Sequence, residues 1–175
     1  APLVEEFQGE LNFTDEDLEG RYRELSPKGK VDLVVIGCPQ ASVGEARETA
    51  AAIRARMELG EAIPNNRLWL FMSSHNYDLI SSDGTLDILE EAGALVLRDT
   101  CPEVTPYNRS KYNHLLTNSL KAEHYLTSGL NRIPTSVAPI MECVAHAFDE
   151  SLIDAPRPEL GSQHASPMHT AKTPQ

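Results

Sequence analysis

Short, β-branched apolar runs alternate with helical stretches along most of this chain, and that alternation restricts its fold more than any other feature. Val31 to Ile36 (VDLVVI), Leu68 to Met72 (LWLFM) and Ala94 to Arg98 (ALVLR) are too short for helices and almost continuously apolar. That is the pattern of strands covered on both faces, as in a parallel sheet. His114 to Thr117 and Thr135 to Ala138 read as fourth and fifth strands. Between the strands, Ser42-Val43-Gly44-Glu45 forms a capping box opening a helix to Glu58. Leu79 to Ala92 reads as one helix stopped by Gly93. A further helix follows Asn118-Ser119 through Lys121 and Tyr125, and another spans Ile140 to Phe148. Strand and helix alternating at this spacing imply an α/β fold, a mostly parallel sheet with helices on both faces in three layers.

The flanks differ in composition. Residues 1–30 are polar and acidic, with Thr14 before Asp15, Glu16 and Asp17 as the start of a lead-in helix. Residues 31–150 hold the α/β pattern. From Pro156 on, residues 156–175 are rich in Pro, Ser, His and Thr, and a disordered tail is expected.

The chain has 175 residues and a net charge of −11. So acidic a surface argues against nucleic acid and anionic membrane as partners. No run approaches the length of a membrane span. Residues 1–10 lack a basic segment before an apolar one, so no signal peptide is expected. A cytoplasmic, reducing compartment is expected, in which cysteines serve metals or catalysis more often than disulfides.

Three cysteines are the chemistry-bearing residues. Cys38 and Cys101 each follow an apolar strand and precede a proline, and Cys143 sits in the first turn of a helix after the fifth strand. In an open α/β sheet the carboxyl ends of the strands share one edge, where sites form. The three thiols therefore have a route to one iron–sulfur cluster, with one iron lacking a protein thiolate and free to act as a Lewis acid. Taken singly, each cysteine is more ordinarily a buried core residue. GxGxxG, the Walker loop and GxSxG are absent, as are the CxxC pairs of common structural zinc sites.

Other candidates stand at the same edge. Asn118, Ser119, Lys121 and Tyr125 surround a helix start with hydroxyl, amide and ammonium groups suited to a carboxylate or phosphate. His75 follows the second strand. The plain alternative is a polar cap with an exposed lysine. Asp83, Asp87, Glu90 and Glu91 read as a solvated helix face.

The phrases VDLVVIGCPQASVGE, LRDTCPEV, LLTNSLKAEHY and APIMECVAHA resemble the C-terminal part of the catalytic portion of aconitase X, over roughly residues 10–150. The resemblance implies an iron–sulfur hydro-lyase dehydrating a small hydroxy acid, with its cluster, 2Fe–2S or 4Fe–4S, on Cys38, Cys101 and Cys143. Ser119 and Lys121 are then the candidate catalytic groups, and His75, Asn118 and Tyr125 the candidate substrate contacts. Members of the family act on cis-3-hydroxy-L-proline or on mevalonate 5-phosphate. The scarcity of basic residues at the edge favours the hydroxyproline. The family's further active-site groups come from the N-terminal half of the large part and from a small domain or subunit bearing a serine base, so partners of both kinds are expected. The rival readings are a non-catalytic α/β binding module with structural cysteines and an electron-transfer cluster protein. The latter ordinarily needs four thiolates.

Overall fold

A computed structural model describes residues 11–148. The expected tail at 156–175 and the first ten residues lie outside the described residues. Strands β1 (Leu33–Ile36), β2 (Leu68–Met72), β3 (Leu95–Arg98), β4 (Leu115–Thr117) and β5 (Thr135–Val137) form one sheet in the order β3-β2-β1-β4-β5. Every neighbouring pair is parallel, with Val34 beside Leu68 on one side and Leu116 on the other. The central strand β1 is LVVI with all four side chains buried. Such a strand has no solvent face, hence the missing alternation in its sequence.

The helices are α1 (Asp15–Leu25), α2 (Val43–Met57), α3 (Ser74–Ser82), α4 (Thr85–Glu91), α5 (Leu120–Ser128) and α6 (Ile140–Phe148). One apolar cluster joins Val34, Ile36, Leu68, Leu70 and Leu116 to Ile53, Ile80, Leu89 and Val144, so α2, α3, α4 and α6 cover one face. The second joins Leu33, Val35, Phe71 and Leu115 to Tyr107, Tyr112, Ala122 and Leu126 on the other face. Parallel crossovers are right-handed. The chain steps one way from β1 to β3 and the opposite way from β4 to β5, so α5 falls on the face opposite α2, α3 and α4.

Two details depart from the sequence reading. The helix expected over 79–92 is two helices, broken at Asp83-Gly84. Gly84 takes φ 80°, a left-handed conformation that ends α3. Asp83 is then not merely solvated: its carboxylate accepts the Thr85 N–H at 3.0 Å and Arg47 Nη2 at 2.7 Å. Secondly, the second face carries α5 beside an irregular connection between β3 and β4. Tyr107 stacks on Trp69 at 5.8 Å and Tyr112 meets it edge-on at 5.7 Å. Aromatic area does there what a helix does elsewhere.

Candidate active-site edge at the carboxyl ends of β1 and β4

Strand order reverses between β1 and β4, because consecutive strands lie on either side of β1. A crevice opens outside the carboxyl ends at such a switch point. Cys38 lies two residues beyond β1, and Asn118 and Ser119 directly follow β4.

The turn after β1 is tightly made. Gly37 has φ 102°, and a Cβ there would lie 2.3 Å from the Phe71 carbonyl oxygen and 2.6 Å from the Ala41 nitrogen. Ala41 N–H donates to that same carbonyl at 2.6 Å, and Asn76 Nδ2 donates to the Ala41 carbonyl at 3.1 Å. The Gly37 N–H reaches Asn118 Oδ1 in a long bond of 3.5 Å, and Asn118 Nδ2 donates to Glu45 Oε1 at 3.0 Å. Both ends of the Asn118 amide are thus engaged within the protein, and this candidate substrate contact is also part of the scaffold.

Cys38 is half-buried among the second-face cluster. Burial pushes its thiol above the usual range; the Ser119 hydroxyl and the Lys121 ammonium pull it back, while Cys101 and Glu103 push it further up. Ser119, Lys121, Cys101 and Glu103 are thus the groups whose charge or hydrogen bonding bears on this thiol. Ser119 also caps α5, its oxygen accepting the Ala122 N–H at 3.2 Å. Cys101 is half-buried as well. Its carbonyl accepts the Thr105 hydroxyl at 2.9 Å, and the Tyr107 hydroxyl donates to Pro102 O at 3.0 Å, which pins the loop carrying Cys101.

Glu103 is a member of this group that sequence reasoning missed. Its Oε1 accepts the Leu130 N–H at 2.7 Å, while its Oε2 is buried and, among the described residues, has no hydrogen-bond partner. The one available signal was its place two residues after Cys101.

Cys143 does not join the other two thiols. It is 0% exposed, belongs to the first-face cluster, and its S–H donates to the Ala138 carbonyl at 3.3 Å. Burial, with Glu142 adding to it, pushes this thiol far above its usual range. The physical reason is the path of α6, which turns from β5 onto the face opposite α5. Among the described residues no three His, Cys, Asp or Glu side chains stand together as a metal-holding group. The three cysteines as placed therefore do not fit a single cluster: Cys38 and Cys101 are half-buried beyond the carboxyl ends of β1 and β3, which β2 separates, and Cys143 is in the core.

His75 is exposed in the first turn of α3, one strand away from the crevice. Tyr125 is 45% exposed, six residues into α5, with its ring edge-on to His124 at 5.4 Å. Arg109 is occupied by the carbonyls of Asn131 and Arg132, and Lys111 lies over the Tyr112 ring. An open groove of about 450 Å³ lies at the opposite edge, lined by Glu24, Lys28, His114, Glu123 and Ser136. Its His114 is spoken for, with Nδ1 at 2.9 Å from Lys30 O and Nε2 at 2.8 Å from Ser136 Oγ. The chemistry gathers at the thiol edge instead. No helix among the described residues is long and apolar enough to cross a membrane.

An all-parallel sheet with thiol, hydroxyl and ammonium groups at its switch point defines an α/β protein of the kind that builds ligand sites from strand ends. Residues 31–149 match the family model described as the aconitase X third domain, and the chain belongs to the aconitase X family. It is 32% identical over 114 residues to the phosphomevalonate dehydratase large subunit of Methanocaldococcus jannaschii, covering 65% of this chain and 27% of that one. The corresponding subunit of Aeropyrum pernix is 30% identical over 125 residues, covering 71% and 30%. The fold resembles the crystal structure of Thermococcus kodakaraensis aconitase X in its holo form, with a TM-score of 0.65 and 25% identity over 76% of this chain and 33% of that one. The chain thus spans about a third or less of these relatives.

Proposed function

We propose that this chain supplies one wall of the active site of an aconitase X–type hydro-lyase that removes water from a small hydroxy acid. The observation supporting the proposal is that Cys38, Cys101, Ser119 and Lys121 follow the carboxyl ends of β1, β3 and β4 along one edge of the sheet, in a chain of this family. The preferred substrate is phosphorylated, with mevalonate 5-phosphate as the leading candidate, because the relatives bear the name phosphomevalonate dehydratase. That reverses the preference for cis-3-hydroxy-L-proline drawn from the sequence, which now stands second.

Dehydration beside a carboxylate needs an anion held still, a proton taken from carbon and a hydroxyl helped to leave. Lys121 at the start of α5 suits the first task, since ammonium and helix N-terminus both favour an anion. Ser119, which caps α5 and bears on the Cys38 thiol, is our candidate for contact with the reacting end. His75 and Tyr125 are outer candidates for the substrate, on exposed helix surface. A phosphate here draws one cation from this chain, and the others come from the remainder of the large part or from a small subunit. An iron–sulfur cluster at this edge would take Cys38 and Cys101. Cys143 enters its ligand set only by leaving the Ala138 carbonyl. Three free thiols suit a reducing compartment such as the cytoplasm.

The test is complementation. The chain is combined with the missing segments of the large part and with a small subunit, and dehydration of mevalonate 5-phosphate and of cis-3-hydroxy-L-proline is followed separately. Turnover of the phosphorylated acid that depends on this chain is the expected result. Turnover of the hydroxyproline alone restores the second reading, and an assembled but inert complex overturns the enzymatic one.

A further inference from the structure

The turn bearing Cys38 is coupled to the start of α5 by one pair of side chains whose hydrogen-bonding roles are not interchangeable. Glu45 is the third residue of α2, and Asn118 follows β4. The Glu45 carboxylate can only accept: Oε2 takes the Ser42 N–H and the Ser42 hydroxyl, each at 2.9 Å, and Oε1 takes Asn118 Nδ2 at 3.0 Å. That turns the Asn118 oxygen toward Gly37, whose N–H can only donate. The amide orientation is therefore dictated by its two partners.

A capping box needs only the Ser42–Glu45 exchange. The second oxygen of Glu45 goes beyond the cap, reaching Asn118 across 73 residues of sequence. Asn118 lies between the Cys38 turn on one side and Ser119, the cap of α5, on the other. We propose that Glu45 and Asn118 are positioning residues, a latch setting the Cys38 turn against Ser119 and the α5 start. The proposal rests on reading Cys38 as a site residue, yet its test needs no turnover, so an inert enzyme and an absent latch are separable results.

Exchanging the two groups keeps the pattern and reverses the direction. With Glu45→Gln and Asn118→Asp together, Gln Nε2 donates to one Asp oxygen, the other Asp oxygen accepts from Gly37, and Gln Oε1 still accepts from Ser42. Either change alone faces donor with donor or acceptor with acceptor.

The experiment is residue-resolved alkylation of the full chain by iodoacetamide, read by mass spectrometry, for the native protein, E45Q, N118D and E45Q/N118D. The fully buried Cys143 serves as an internal gauge of opening. Each single variant should speed Cys38 labelling about fivefold, the size of one lost hydrogen bond, with Cys143 unchanged. The double variant should return Cys38 to near its native rate. Charge alone would move the singles in opposite directions, N118D slower and E45Q faster, and that result overturns the proposal. So do unchanged Cys38 rates, a double variant as fast as the singles, or Cys143 accelerating in step.

Discussion

At the scale of single residues, the candidate site depends on atoms that leave no room for change. Gly37 has both a left-handed φ and a backbone carbonyl where a Cβ would go. Gly37→Ala should lower unfolding free energy by about 3 kcal/mol or more in urea titration, combining strain with overpacking. Gly60 has φ 81° but open space around it, so Gly60→Ala should cost only about 1 kcal/mol. Equal losses would mean that the Phe71 contact is not what matters at Gly37. Ser119 has two roles, and Ser119→Ala removes both. Without its hydroxyl the Cys38 thiol, already raised by burial, should rise further. The pH profile of Cys38 alkylation should therefore shift to higher pH, alongside a loss of about 1 kcal/mol of stability from the missing cap. A stability loss with an unmoved profile would place Ser119 in the cap alone.

Among the elements, the joint between α3 and α4 shows how a carboxylate can organise three helices. Asp83 ends α3, accepts from Thr85 at the start of α4 and holds Arg47 of α2. Its bonds to Thr85 and Arg47 bring its carboxyl down from 3.8 to about 2. A carboxylate depressed in the folded state stabilises it above the unfolded value and loses that contribution as pH falls through the folded one. Asp83→Asn should therefore unfold earlier than the native protein by a constant margin from about pH 5 to 8. That margin should close between pH 4 and 2. Thermal unfolding across that range checks it, and a margin independent of pH would mean that the charge is not what Asp83 contributes. The β3–β4 connection shows a different economy, with Tyr107 and Tyr112 packed on Trp69 fastening the loop that carries Cys101.

For the molecule as a whole, the chain spans about a third or less of the relatives it matches, so the proposed activity would draw on further polypeptide. Lys121 is exposed and, among the described residues, is the basic group that lowers the Cys38 thiol. In the complemented enzyme, Lys121→Ala should raise KM for the phosphorylated acid by about tenfold or more, the worth of a charge-assisted contact. Its urea midpoint should match the native chain, because no core packing is lost. An unchanged KM would move the anion site elsewhere.

The strands were legible because burial on both faces demands continuous apolar runs, and β2 and α6 begin and end where the sequence places them. The Thr14 and Ser42 caps were legible because capping is local, set by residues three apart. The single helix over 79–92 was misjudged because its apolar spacing continues across Asp83-Gly84, where the left-handed glycine decides the outcome. Local pattern was enough to put Cys38 and Cys101 just beyond strands of a parallel sheet and Cys143 in the helix after the fifth strand. Which thiols stay at the edge and which enters the core was settled by how the helices fold onto the sheet. Face is a property of crossover direction, not of local residue pattern, and it sends Cys38 and Cys101 to one edge and Cys143 into the core. The Glu45–Asn118 contact was invisible for the same reason, since its partners are adjacent only once β1 and β4 pair.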